Sequence, residues 1–183
     1  MPRMKTDSSH LIKVSLSLFR NKGYKRTSMA DIGRASGLLK GSIYHHFANK
    51  EHLLVEVIGH VIELFEDEVF APALRTDVGA KERLGAMVDA VESYYIEHRV
   101  CALVHLWPDA LQESKEAREI IQRFFLRWQS VMADLLVARY GNEEAQRLSA
   151  DALAKIEGAV IWLQIVGDEE TLRRCCDSVR NLL

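Results

Sequence analysis

Proline occurs at only three places in the 183 residues, positions 2, 72 and 108, and glycine at ten. Proline removes a backbone donor and breaks helix interiors, so its scarcity leaves long stretches free to remain helical. Within those stretches apolar residues recur at helical spacing rather than alternating. Leu84, Met87, Val88, Val91, Tyr94 and Tyr95 make one stripe. Ile120, Ile121, Phe124, Phe125, Trp128, Val131, Met132, Leu135 and Leu136 make a longer one, and Leu148, Leu153, Ile156, Ala159, Val160, Leu163 and Val166 a third. Hydrophobic residues form 48% of the chain and charged residues 27%, enough apolar material for a true core. The expectation is an all-α protein. No apolar run reaches bilayer length and residues 1–10 lack a signal-peptide core, so a cytoplasmic protein without a membrane partner is expected. Three cysteines, two of them the adjacent Cys175 and Cys176, do not make a disulfide framework and fit a reducing compartment.

The first 65 residues break into shorter pieces. Leu11, Ile12, Leu16, Leu18 and Phe19 give a first helix, stopped at Asn21-Lys22-Gly23. Ser28 and Asp31 form an S-x-x-D pattern that resembles a capping box and opens a second helix. Met29, Ile32 and Ala35 are its expected apolar side. Ser36-Gly37-Leu38 reads as a three-residue turn whose glycine takes positive φ. A third helix follows over about 39–46, with Leu39, Ile43 and Phe47 as its expected inner side. Asn49 caps a fourth helix that is expected to run until Pro72.

Two short helices joined by a tight glycine turn, behind a buried first helix, are the geometry of a helix-turn-helix, here at 28–47. The second helix of such a pair enters the major groove. Its outer side offers Lys40, Gly41, Ser42, Tyr44, His45 and His46. Lys40 suits guanine or phosphate, Ser42 suits base edges or phosphate, and Gly41 lets the backbone approach closely. Lys50, in the first turn of the fourth helix, is expected to clamp a phosphate. Charge agrees: residues 1–65 carry a balance of +5 and residues 66–183 one of −7, within the net −2. A basic head suits a polyanion.

The run Thr27-Ser28-Met29-x-Asp31-Ile32-Gly33 and Ser36-Gly37-Leu38-x-Lys40-Gly41-Ser42-Ile43-Tyr44-His45-His46-Phe47-x-x-Lys50-Glu51-x-Leu53 resembles the DNA-binding domain of the TetR family of repressors. The resemblance implies that Thr27, Ser28, Tyr44 and Lys50 contact phosphates and that Lys40, Gly41, Ser42 and His45 face bases. It implies a three-helix domain over 5–65 and a helical ligand-binding and dimerisation domain over 66–183. Leu39 departs from the small polar residue common at its position. Leucine cannot cap the helix, and it either packs inward or touches a thymine methyl.

The second region carries no comparable motif, and breaks are expected near Pro72, 75–79, 98–101, Ser114 and 141–142. Tyr94, Tyr95, Trp107, Phe124, Trp128 and Trp162 are candidates for lining a small-molecule pocket, against the plainer reading of an aromatic core. Helices apolar on several faces need two partners, which makes Phe125, Met132, Ala159 and Trp162 candidates for a homodimer interface. One short recognition helix reads too few base pairs to find a site alone, so a dimer on a palindromic double-stranded operator is expected. His98, Cys101 and His105 would share a face only on a continuous helix, and neither metal nor cofactor is expected. No phosphate loop, metalloprotease motif or nucleophile elbow is present, so an enzyme is not expected. The resulting expectation is a repressor released from its operator by a small-molecule effector. The alternative is control by cysteine oxidation, electrophiles or a partner protein.

Overall fold

The computed structural model describes the backbone of residues 3–183 and the side chains of residues 8–39 and 41–183. The described residues are 84% helical and contain no strand. In order the helices are α1 (Arg3–Lys22), α2 (Met29–Ser36), α3 (Lys40–His46), α4 (Lys50–Phe65), a wide π-helical turn (Glu66–Phe70), α5 (Ala71–Ala73), α6 (Ala80–His98), α7 (Ala102–Glu113), α8 (Lys115–Tyr140), α9 (Asn142–Val166) and α10 (Glu169–Arg180). The expected all-α class holds. The fourth helix differs in detail, because α-helical bonding gives way to the wide turn at Glu66, well before Pro72. Pro72 opens α5, where the missing N–H has no intrahelical partner to lose.

The chain forms two compact units, Met1–Ile62 with Ala102–Gln122, and Glu63–Cys101 with Arg123–Leu183. The sequence placed 102–122 with the second region, whereas α7 and the start of α8 pack with the first helices. Continuous helix crosses the division twice, within α4 and within α8.

In the first unit the buried residues are Leu11, Leu16 and Phe19 of α1, Met29 and Ile32 of α2, Ile43 and Phe47 around α3, and Leu53, Leu54, Val57 and Ile58 of α4. Leu103, Leu106 and Ala110 of α7 complete this core. Their 3–4 residue spacing is what makes each helix amphipathic, and burying that stripe is the main stabilising term. Ala35 departs from the expected inner side of α2; it is exposed and Gly33 is buried in its place.

The second unit is built on aromatic rings. Phe65 lies edge-on to Tyr94 at 4.8 Å and to Phe124 at 5.2 Å, and 5.5 Å from Trp128. Phe70 stacks on Phe124 at 5.8 Å. The end of α4 contributes Phe65 and the wide turn contributes Phe70 to this cluster. Edge-to-face pairs add a modest preference beyond their buried area. α10 presents Leu172, Cys176 and Val179 inward. Arg180 ties it to Asp89 and Glu92 of α6, and Arg173 adds a second contact to Glu92.

Candidate nucleic-acid interface

The local chemistry of 23–50 builds a rigid helix pair. Ser28 Oγ accepts from the Asp31 N–H, and the Asp31 carboxylate accepts from the Ser28 N–H at 2.8 Å, the expected reciprocal capping box. The backbone and hydroxyl donors of Ser28, then Lys22, hold the Asp31 carboxyl below the usual carboxylate range. Gly37 ends α2 at φ 71°, with its N–H on Gly33 O. Only glycine adopts that conformation without a steric cost, which fixes the turn into α3. Asn49 caps α4 by accepting from the His52 N–H at 2.8 Å.

α3 is pinned from behind by Ile43 and Phe47, both buried. Gly41, Tyr44 and His45 are exposed and Ser42 and His46 partly so; Tyr44 is 45% exposed. These five expected DNA residues therefore share the outward part of one short helix. The Lys40 side chain lies outside the described residues. Leu39 does not pack inward as one of its two expected roles required. It is 81% exposed, because it precedes the first helical turn in an extended conformation, with ψ 144°. The i, i+4, i+8 stripe therefore begins at Ile43.

Two expected phosphate contacts are engaged inside the protein. Thr27 is 1% exposed, and its hydroxyl donates to Gly23 O at 2.8 Å. Lys50 Nζ donates to Tyr24 O at 3.0 Å and Thr27 O at 3.1 Å, and sits 4.0 Å above the Tyr24 ring. Two of its three donors thus hold the turn between α1 and α2. Burial lowers the Lys50 pKa, opposed by the nearby Glu113 and Asp109 carboxylates of α7. Burial, then Glu113, Glu51 and Asp109, pushes the Tyr24 hydroxyl up to about 12. Lys25 reaches Gln112 and lies 3.9 Å from Glu113. This brace from α7 and α4 onto the α1–α2 turn joins residues far apart in sequence and has no local signature.

Two stretches of the chain match known families. Residues 11–57 match the model of bacterial regulatory proteins of the tetR family. Residues 82–178, more than half of the chain, match the C-terminal domain of LmrA/YxaF-like transcriptional regulators. The chain belongs to the TetR family. It is a helix-turn-helix transcriptional regulator. Among its relatives, YerO of Bacillus subtilis is 24% identical over 86% of this chain, though only 54% of YerO is matched. BetI of Rhizobium meliloti is 25% identical over 82% of this chain and 74% of its own length. The repressor KstR2 of Mycolicibacterium smegmatis is 32% identical over 51% of this chain and 45% of its own. The fold matches a TetR regulator from Chloroflexus aurantiacus at TM-score 0.85 and 24% identity, covering 99% of this chain and 96% of that one. A regulator from Legionella pneumophila also reaches 0.85, at 22% identity, covering 100% and 98%.

Of the six residues expected to line a pocket in the second region, four come together in one cluster. Tyr94, Tyr95, Phe124 and Trp128 belong to the packed aromatic core, Trp162 is 49% exposed, and Trp107 lies in the other unit. Of the expected dimer residues, Met132 and Ala159 are buried within the second unit because they face its core. Phe125 is partly exposed, stacked on Trp128. Exposed apolar side chains of this unit instead include Leu126 of α8 and Ile161, Trp162, Ile165 and Val166 of α9. His98, Cys101 and His105 are not on one helix, since Arg99 at φ 59° ends α6. Among the described residues no group of three metal-ligating side chains occurs.

Proposed function

We propose that this TetR-family regulator is a homodimeric repressor reading an inverted repeat, released when a small molecule binds its second unit. The exposed outer side of α3 carries the DNA-binding reading. Gly41, Ser42, Tyr44, His45 and His46 surround a buried Ile43–Phe47 spine, so the helix presents its polar side without loosening its base. Tyr44 and Ser28 are proposed at phosphates, and Lys40, Gly41, Ser42 and His45 at base edges. Thr27 and Lys50 are proposed to position the helix pair rather than to touch phosphate.

The dimer reading is supported by the exposed α9 surface. Ile161, Trp162 and Ile165 lie within one turn of each other on the same side, and Ile165 is 74% exposed. Apolar side chains clustered this way on a water-facing helix favour association. A two-fold pair would supply two heads about one DNA turn apart, ~34 Å or more, and hence the base-pair count that specificity needs. Control through cysteine chemistry is the weaker alternative. Cys101 and Cys176 are buried, and burial holds the Cys176 thiol up at about 12.

The decisive experiment selects bound duplexes from a random pool and measures the assembly by sedimentation. The expected site is two-fold symmetric, bound by a dimer that Trp162→Arg with Ile165→Glu dissociates, with loss of binding. A selected site without symmetry, or a monomer that binds as tightly, would overturn the reading.

A further inference from the structure

In the second unit the half-buried Glu157 has one enclosed carboxylate oxygen without a hydrogen-bond partner among the described residues. Glu157 projects from α9 beside Tyr95 of α6, and the Tyr95 hydroxyl donates to Glu157 Oε1 at 2.8 Å. Cys101, in the connection after α6, is a hydrogen-bond partner of both groups and, with Tyr95, partly offsets the effect of burial on Glu157. The other oxygen, Oε2, is fully enclosed and receives no donor from the described residues. Glu157 also takes part in none of the ion pairs among the described residues. An enclosed carboxylate without a counter-charge is costly, and burial accordingly raises its pKa.

The surroundings define what could complete it. Tyr95 has no exposed surface and contacts Tyr94 edge-on at 5.4 Å and Phe65 at 6.3 Å. Through Phe65 the same cluster reaches Trp128, whose buried indole N–H has no acceptor among the described residues. Rings next to an unbalanced carboxylate suit an organic cation, because the carboxylate supplies charge and an acceptor while ring faces attract the ammonium and its apolar body. A divalent metal is a poor fit, since among the described residues no group of three ligating side chains occurs there.

We propose that Glu157, with Tyr95 beside it and the aromatic cluster behind it, is the recognition point for a protonated organic amine carrying an apolar or aromatic body. The amine N–H donates to Oε2, the counter-charge compensates the carboxylate, and the body displaces or extends the ring packing. This assigns a ligand class to the effector-binding unit and rests on that part of the proposed function.

The test uses the full-length protein and phenylalkylamines of two to six methylenes, each beside the neutral phenylalkanol of equal length. Binding is read directly by calorimetry and thermal shift, without DNA. The expected result is at least one amine bound tenfold or more tightly than its alcohol. Glu157→Gln is expected to abolish that tenfold preference while leaving alcohol binding unchanged. If the variant does not fold by circular dichroism, the wild-type comparison with the N-acetylated amines, which keep the body and lose the charge, replaces it; these are expected to bind like the alcohols. Equal binding of amine, alcohol and amide, unchanged amine preference in Glu157→Gln, or no binding of any amine overturns the proposal. Because DNA is absent, such a failure leaves the repressor reading standing. An amine that binds but does not release operator in a separate anisotropy titration counts against release by this ligand, not against the site.

Discussion

Replacing Lys50 by methionine separates two roles for this residue that predict opposite results. The substitution keeps the aliphatic stem and removes the ammonium that holds Tyr24 O and Thr27 O. Hydrogen bonds from a charged donor are worth about 1.5–3 kcal/mol each when sheltered. Lys50 is only partly buried, so solvent screening reduces each to about 1 kcal/mol. Its approach to the Tyr24 ring adds roughly 0.5 kcal/mol. Against these stands the desolvation of the ammonium, which methionine no longer bears. The expected loss is about 2 kcal/mol, read as a lower urea midpoint with an unchanged slope. Operator affinity should fall by a similar factor at every salt concentration, because the helix pair is less firmly held while no phosphate contact has gone. A lysine on a phosphate would behave otherwise: stability would barely change, and the slope of log affinity against log salt would shrink by about 0.9. Unchanged stability together with that smaller slope would refute the bracing role.

Ser28→Ala should cost about 1 kcal/mol in urea unfolding by removing the α2 cap, and Ser28→Asp should restore most of it. The exposed Leu39 should make the operator sensitive to one thymine methyl. Deoxyuridine there should weaken wild-type binding about fourfold, near the ~0.8 kcal/mol of one buried methyl, and should not affect Leu39→Ala; equal sensitivity of both proteins would exclude the contact. Cys176, with a thiol pKa of about 12, should be alkylated by iodoacetamide at pH 8 on the order of a thousand times more slowly than a free thiol of pKa ~8.5; labelling as fast as in urea would contradict its burial.

What the chain revealed in advance divides by the range over which each feature is encoded. The Ser28–Asp31 box, the Gly37 turn and the Asn49 cap depend on residues three or four apart, and each reads directly from local order. Leu39 misled because the i, i+4 rule holds only inside a helix, and its extended backbone turns the side chain to solvent. On α9 the apolar residues cover most of the circumference. Periodicity could not say whether Ala159 or Ile161 and Ile165 face inward, since residues two apart on a helix point ~200° apart. The two carbonyl acceptors of Lys50 lie 26 and 23 residues earlier, beyond the reach of any local pattern. The Tyr95–Glu157 pair spans 62 residues and had no sequence signature at all.

The wide turn at Glu66–Phe70 has a meaning for how this chain tolerates insertion and deletion. In a regular α-helix, residues five apart point ~140° away from each other, so Phe65 and Phe70 could not face one core. Closing the turn one residue later, with the Ala71 N–H on Glu66 O, returns Phe70 toward the side of Phe65. Arithmetically the turn is a single inserted residue absorbed without a break in the helix. Removing any one of Asp67, Glu68 or Val69 would place Phe70 four residues after Phe65, ~40° away in a regular α-helix, so the two rings would still face one core. Length at this point is therefore less tightly specified than residue type, and a sequence one residue shorter here can keep both rings in the same core on a regular α-helix.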